Sequence, residues 1–347
     1  MRAEDPVQSV LKRDPAVWDL FTRKEEYGST DLDAHGRFPA ASSKFKDIRR
    51  PITSEFLLAN GYEVLYPEDR TFAVCLTHDV DLLNPQIAVR RILNKGGRKS
   101  LRKLLRMANK AINPYWTFKK IISIEDSYDA NSTFFMMGLA SGDEDFNYLV
   151  EDMSPELGRI VDSGSDVGLH GGHKAFMSLE KIIEERKRLE KVAGRPVVGY
   201  RNHYLKIKVP STWRLLEKVG FDYDSTLGYP DTPGFRNGMC HPFHPYDLEE
   251  QHELNLLELP LTFMDATLLD RQKPDVGQAW GVIKDMVDRC RKCSGVATII
   301  WHNDRMNKEY SRLYEKTMGY CRDSGAWMTS GENISKWWRK NGWVTNR

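Results

Sequence analysis

The stretch that decides the fold is Phe72-Ala73-Val74-Cys75-Leu76-Thr77-His78-Asp79-Val80-Asp81. Its apolar first half predicts a buried strand, and two carboxylates follow where that strand ends. Helical segments come later in the chain, for example at 178–192 and 211–219. Further apolar runs, each ending in polar or ionisable residues, lie at 132–137, 166–169, 197–200, 256–261 and 296–300.

This alternation of strands and helices predicts a parallel α/β fold. Polar groups at the carboxyl ends of successive strands are what the active site of a barrel requires. Residues 1–70 hold too few apolar side chains for an independent domain, so we expect an N-terminal extension that packs on the body. A basic helical insertion at about 86–120 interrupts the rhythm of the body.

The composition excludes several broad classes of protein. The chain has 347 residues, of which 40% are apolar and 29% charged, as in an ordinary globular protein. A formal net charge of +2 gives no support to a nucleic-acid partner. The five cysteines do not suggest a disulfide framework, and no apolar signal core follows Met1. We therefore expect a reducing, cytoplasmic setting.

The insertion contains the most uneven charge in the chain. Residues 90–110 carry nine Lys and Arg side chains and no Asp or Glu, with leucines at helical spacing. This pattern predicts a basic amphipathic helix. A solvated helix lying over the body is the favoured interpretation, and peripheral contact with an anionic membrane is the alternative. Cys290 and Cys293 are interpreted as apolar residues of a helix, because a lone Cys-x-x-Cys is weak evidence for zinc.

Ionisable residues at the predicted strand ends suggest metal-assisted acid–base chemistry. Of Asp79 and Asp81, one carboxylate can bind a cation while the other accepts a proton. His170 and His173 follow a glycine-rich strand end, where imidazoles can turn towards a metal. Arg201 would hold a facing carboxylate ionised, and His302, at the mouth of the last strand, could act as a general acid.

In this order, the motifs resemble those of the polysaccharide deacetylase (NodB-homology) family of carbohydrate esterases. Thr77–Asp81 resembles its first motif, in which the first Asp (Asp79) is the catalytic base and the next (Asp81) binds the metal. Arg201 and Tyr204 match the third motif, where the Arg positions the base and the backbone amide at the Tyr position contributes to the oxyanion hole. Gly168–His170 resembles the strand that carries the metal histidines.

The later motifs continue the resemblance. Tyr223–Thr226 is similar to the fourth, whose Asp224 tunes the catalytic histidine, and Ile300–Asn303 is similar to the fifth, with His302 as the acid. The stretch 224–247 resembles a branch tied to surface polysaccharide biosynthesis. Further residues expected to bind substrate are Arg236, His203 and Trp301.

The resemblance implies a single catalytic domain of distorted (β/α)-barrel type over residues 71–335, followed by a C-terminal tail at 336–347. It also implies a hydrolase that uses a divalent metal, expected to be zinc, to remove N-acetyl groups from an N-acetylated carbohydrate. The family's metal histidines are four residues apart, whereas position 174 is Lys. His173 is therefore the expected third ligand, with His203 or His78 as substitutes by chemistry.

Two other functions stay open at this point. One is hydrolysis of a non-sugar C–N amide on the same fold, since fold alone does not fix the substrate. The other is a non-catalytic carbohydrate-binding or scaffold protein on a decayed esterase fold, which the offset histidine spacing favours.

Overall fold

The computed structural model describes residues 6–83, 113–271 and 275–345. The helices are α1 (Pro6–Leu11), α2 (Pro15–Phe21), α3 (Ile52–Ala59), α4 (Phe118–Asp126), α5 (Ser154–Asp162), α6 (Leu179–Ala193), α7 (Ser211–Val219), α8 (Val276–Lys292), α9 (Lys308–Asp323) and α10 (Gly331–Asn341). The strands are β1 (Tyr62–Glu63), β2 (Phe72–Val80), β3 (Thr133–Met137), β4 (Asp166–Gly171), β5 (Gly199–Asn202), β6 (Tyr223–Asp224), β7 (Tyr246–Asp247), β8 (His252–Glu253), β9 (Leu257–Glu258), β10 (Leu261–Met264), β11 (Val296–Ile300), β12 (Ala326–Thr329) and β13 (Val344–Thr345).

One curled sheet forms the body, in the order β10-β11-β2-β3-β4-β5-β6-β9, and every pairing along this path is parallel. Helices connect most successive strands, as parallel pairing requires. The prediction of a distorted β/α barrel is confirmed. Because the strands are parallel, their carboxyl ends all open on one rim of the barrel.

Strand β2 lies at the middle of the sheet, and each of its residues is buried. Its last four residues pair with β3, while its first four pair with β12, so two strands share one side of β2. Strand β11 pairs along its other side. Burial on both faces explains why this segment is nearly continuously apolar until Thr77.

The two ends of the sheet belong to one short stretch of chain. The run at 256–261, expected as a single strand, is two strands, β9 and β10, separated by Leu259 and Pro260. β9 pairs with β6 and β10 pairs with β11, at opposite ends of the strand order. Pro260 lacks the N–H that a continuing ladder would need, which suits a break at this place. The two ends of the sheet are therefore linked by the chain itself, through Leu259 and Pro260, and not by pairing between β9 and β10.

The extension packs on the barrel through backbone and side-chain contacts. The N–H groups of Thr53 and Ser54 donate to the carbonyl of Gly238, and Arg23 donates to the carbonyl of Arg236. Asp14 caps helix α2 by accepting from two backbone N–H groups.

The predicted C-terminal tail needs correction, because the boundary at residue 335 falls inside helix α10. The chain then adds β13, which pairs antiparallel with β1 of the extension. Most of the predicted basic insertion, with its proposed membrane contact, lies outside the described residues, and its last three residues begin helix α4.

The five cysteines are free and buried, with Cys290 inside helix α8 and Cys293 at its carboxyl end. Within the described ranges, no helix combines the length and the apolar character needed to cross a membrane.

Candidate active site and metal centre

The first ion pair of the site joins β2 to β5. Arg201 Nη1 donates to Asp79 Oδ1 at 2.8 Å and to Thr77 Oγ1 at 2.6 Å. Ser225 holds the rest of the guanidinium, through its carbonyl to Nε and its hydroxyl to Nη2. The Phe135 ring lies 4.4 Å from the guanidinium carbon. Arg201 is therefore fixed on several sides and presents one donor to Asp79.

The charge of Asp79 follows from this pairing. Burial alone would raise the pKa of the Asp79 carboxyl, but Arg201 and the nearby His170 and His302 outweigh it and lower the pKa below its ordinary value. Asp79 is thus an ionised, buried carboxylate. Such a group can accept a proton from a water placed against it.

Asp81, His170 and His203 form the second part of the site. Each of the three residues offers one ligand atom, and these atoms lie within 4.8 Å of one another. Among the residues that the structure describes, this is the group of side chains that could hold a metal ion. Asp81 Oδ1 is 3.1 Å from His170 Nε2, and Asp81 Oδ2 is 3.6 Å from His203 Nε2. His170 Nδ1 is 3.0 Å from the carbonyl of Arg201, a contact that directs Nε2 towards Asp81.

Two atoms of this group carry the test of whether a metal fits. Asp81 Oδ1 and His170 Nε2 are buried and lie 3.1 Å from each other, yet among the described residues neither forms a hydrogen bond of normal geometry, with the other or with a third group. Buried polar atoms are rarely left unpaired in a folded protein. One carboxylate and two imidazoles also match a recognised zinc ligand set that leaves a position open. The residues present therefore fit a divalent metal.

The expected third ligand, His173, is not in this group. Its Nε2 accepts a hydrogen bond from Lys206 Nζ at 3.0 Å, and its Nδ1 is 3.5 Å from Asp145 Oδ2. His170 and His173 would share one face only if a helix began at His170. Strand β4 instead continues to Gly171, so the two imidazoles diverge.

His302 carries the third part of the site, at the end of β11. Its Nδ1 donates to Asp265 Oδ1 at 2.5 Å, and its backbone N–H donates to Asp265 Oδ2 at 2.8 Å. Its Nε2 is 3.6 Å from Asp81 Oδ2. Burial lowers the pKa of His302, but Asp265, Asp81 and Asp79 outweigh it and raise the pKa to about 10. The imidazole is held ready to donate a proton from Nε2.

Solved structures of known proteins share this architecture. The chain is similar to a "putative polysaccharide deacetylase" from Mycobacterium smegmatis, with a TM-score of 0.57 and 19% identity over 80% of this chain and 93% of that one. The chain has the polysaccharide deacetylase fold.

Two lower-scoring structures are a peptidoglycan deacetylase from Bacillus subtilis and a CE4 family pseudoenzyme from Bacillus anthracis. The first has a TM-score of 0.41 and 14% identity, covering 78% of this chain and 93% of that one. The second has a TM-score of 0.43 and 11% identity, covering 78% of this chain and 66% of that one. Neither a protein-family model nor a curated protein sequence matches the chain.

On this deacetylase fold, the resemblance made Asp224 the partner of His302, and the structure corrects it. Asp265, just after β10, holds the imidazole. Asp224 is buried elsewhere, accepting from the hydroxyl and N–H of Thr226. Burial raises the pKa of Asp224 to about 6, and burial beside Asp224 also raises the pKa of Glu258. The sequence feature that could have identified Asp265 is its position, because it follows an apolar run of residues, as Asp79 does.

Two of the residues expected to bind substrate, Arg236 and Trp301, are buried in the protein interior. Arg236 is fully buried, and its Nε donates to Glu26 Oε1 at 2.8 Å, which ties the barrel to the extension. The Trp301 ring is buried against Tyr314, and its Nε1 donates to the carbonyl of Arg305. Neither side chain is available to a sugar.

The remaining predicted residues lie in or beside the site. Tyr204 follows His203 directly, and their rings stack with centroids 3.8 Å apart. His78 is buried and is not a ligand candidate, because its ring nitrogens lie 2.7 Å from the Trp301 carbonyl and 2.7 Å from Glu125 Oε1. Asp145, in the loop after β3, was not anticipated, and it lies 3.2 Å from His203 Nδ1.

Proposed function

We propose that this chain is a metal-dependent hydrolase that removes N-acetyl groups from an N-acetylated carbohydrate, with zinc as the metal and surface polysaccharide biosynthesis as the setting. One observation carries the proposal. An arginine-held carboxylate (Asp79) and a carboxylate-held imidazole (His302) both lie beside the three-residue group of Asp81, His170 and His203. A base, an acid and a metal-binding group are the parts that metal-assisted amide hydrolysis needs.

Asp79 serves as the base in this proposal. Its carboxylate accepts a proton from the attacking water, and Arg201 keeps it ionised and oriented beforehand. When bound by Asp81, His170 and His203, a divalent cation would polarise the acetyl carbonyl and make the water easier to deprotonate. Tyr204 contributes its backbone N–H to the oxyanion, as the family resemblance implies.

His302 serves as the acid. Breaking the C–N bond leaves an amine that must take up a proton, and His302 Nε2–H supplies it. Asp265 holds Nδ1–H, which fixes the ring orientation and stabilises the imidazolium before transfer. The products are acetate and an amino sugar.

The test is acetate release from N-acetylated glucosamine oligomers, measured after metal removal and again after addition of zinc. Zinc-dependent release is expected, and Asp79→Asn should reduce it by at least about 100-fold, the lower range for loss of a general base. Asp143→Asn, which changes a carboxylate paired with Lys181, is the matched control. Full activity of Asp79→Asn would overturn the assignment of the base.

Metal content provides a separate test of the ligand group. The wild-type protein is expected to retain one zinc per chain, His203→Ala to lose most of it, and His173→Ala to keep it. Retention by His203→Ala with loss from His173→Ala would reverse the assignment. Zinc binding without acetate release from any N-acetylated sugar or amide would instead support a non-catalytic protein.

A further inference from the structure

A small closed loop in the N-terminal extension reaches the site. Asp33 Oδ2 accepts from Arg37 Nε and Nη2 at 2.8 and 2.6 Å, while Asp33 Oδ1 accepts from the N–H groups of His35 and Arg37. The Asp33 N–H also donates to the Arg37 carbonyl at 2.8 Å. Phe38, buried beside the guanidinium of Arg236, anchors the end of the loop to the barrel. We name residues 33–37 the clamp loop.

The clamp loop holds the chain segment that carries His203. Arg37 Nη1 donates to the carbonyl of Tyr204 at 3.0 Å. Tyr204 and Leu205 have φ values of 61° and 55°, in the left-handed region that bulky residues rarely adopt. Such a conformation persists only where surrounding contacts enforce it. Arg37, which is buried and is held by Asp33 through Nε and Nη2, supplies one of these contacts.

Aromatic rings continue the connection to the site. The exposed His35 ring stacks on Tyr204 with centroids 5.3 Å apart and an interplanar angle of 14°. Tyr204 stacks in turn on His203, with centroids 3.8 Å apart and an angle of 27°. The last ring places its Nε2 3.6 Å from Asp81 Oδ2. Three stacked rings therefore run from the extension to the metal-binding group.

The far side of His203 is held by the barrel itself. Its Nδ1 is 3.2 Å from Asp145 Oδ2, a hydrogen bond that directs Nε2 towards Asp81. Asp145 Oδ1 also accepts from the Tyr204 hydroxyl at 3.3 Å. The barrel thus sets the rotation of the imidazole, while the clamp loop sets the backbone and the stacking face.

We propose that the N-terminal extension is a working part of the metal site, in which Arg37 and His35 are positioning residues for His203. This inference rests on the proposed function, because it assigns His203 as a metal ligand. It goes further by making metal affinity depend on residues outside the barrel. The family resemblance, which begins near residue 71, gives no such role to the extension.

The experiment measures zinc affinity by chelator competition in the full chain. Loss of a group that orients a ligand typically weakens metal binding roughly 10- to 100-fold. Arg37→Ala is expected to lose zinc affinity to this extent. His35→Ala is expected to lose less, roughly 3- to 10-fold, because it removes only the ring that stacks on Tyr204. Arg37→Lys should recover part of the affinity, since an ammonium can still donate to the Tyr204 carbonyl.

Arg50→Ala is the matched control, because this arginine of the extension pairs with Glu55 and is exposed. Thermal unfolding of the metal-free proteins shows whether each variant folds. If Arg37→Ala fails to fold, His35→Ala decides, because His35 is exposed and its removal leaves the clamp loop intact. Wild-type affinity in folded Arg37→Ala and His35→Ala would overturn the inference. Absence of zinc binding by the wild-type chain would instead overturn the proposed function.

Discussion

Replacing Asp265 with Asn tests the general acid, because it keeps the shape of the side chain and changes what it can accept. In the wild-type protein the two carboxylate oxygens accept the ring Nδ1–H and the backbone N–H of His302. An amide has only one oxygen, so one of these donors would face an N–H group. We expect the pKa of His302 to fall, because the imidazolium loses its carboxylate. We expect kcat to fall for a different reason, because the ring is no longer held with Nε2–H directed at the amine.

The magnitude follows from the lost hydrogen bond. A hydrogen bond to a charged group contributes about 1.5–3 kcal/mol, and leaving a buried donor unpaired costs about 1–3 kcal/mol. Both estimates centre on about 2 kcal/mol, which corresponds to a pKa decrease of roughly 1.5 units and a decrease of roughly 30-fold in kcat. The wild-type pKa of about 10 leaves room for such a fall.

The assay pairs an NMR titration of the His302 ring in metal-free protein with rates of acetate release. Asp285→Asn is the matched control, since Asp285 is a partly exposed carboxylate of helix α8 that pairs with Arg289. An unchanged His302 pKa in Asp265→Asn would refute the reasoning. So would an equal decrease in Asp224→Asn, which would restore the assignment that the resemblance gave.

Three further substitutions test residues assigned here to structure. Asp224→Asn is expected to raise the free energy of unfolding by about 1–3 kcal/mol at pH 8 and by little at pH 4. Burial raises the Asp224 pKa to about 6, so the wild-type fold loses stability as the pH rises from about 4 through about 6. Urea unfolding of metal-free protein at both pH values measures the difference, and an equal gain at both would contradict this cause. Arg236→Met should lower the free energy of unfolding by about 3 kcal/mol, because the buried carboxylate of Glu26 loses one of its cations. Urea unfolding measures this loss, and an unchanged stability together with a changed KM would indicate substrate contact instead. Trp301→Phe should lower the free energy of unfolding by about 1–3 kcal/mol, through lost volume and a lost indole hydrogen bond, and should leave KM unchanged. Thermal unfolding measures the stability and steady-state kinetics measures KM; a raised KM with unchanged stability would contradict this structural role.

The strands and the ion pair of Asp79 could be predicted because their signals are local. An apolar run ending in Thr77 predicts a buried strand, and the order of polar residues after successive strands predicts that they share one rim. The pairing of Asp79 with Arg201 follows from the same geometry. These parts depend on neighbours in sequence and on the rule that parallel strands end together.

The third residue of the candidate metal-binding group depends on the path of the backbone, which residue spacing does not reveal. His173 is near His170 in sequence, but β4 continues past His170 and turns His173 towards Lys206. His203 lies beside Asp81 and His170 because the backbone makes a left-handed turn at Tyr204. Sequence patterns do not predict this conformation for an aromatic residue.

The partner of His302 depends on the order of strands in space. β10, which leads to Asp265, lies next to β11, which leads to His302. β6, which carries Asp224, lies at the other end of the sheet, beside β9. Since β9 and β10 arise from one apolar run, the sequence does not show that they pair with different strands, β9 with β6 and β10 with β11.

The pairing of β1 with β13 ties the N-terminal extension to the last strand of the described chain. Tyr62 faces Thr345 in this small sheet, and the Tyr62 ring packs edge-on against Trp343. A chain shortened to begin at residue 71 would lose the partner of its own final strand as well as the clamp loop. Truncation on one side of the barrel is therefore expected to destabilise the segment on the other side as well.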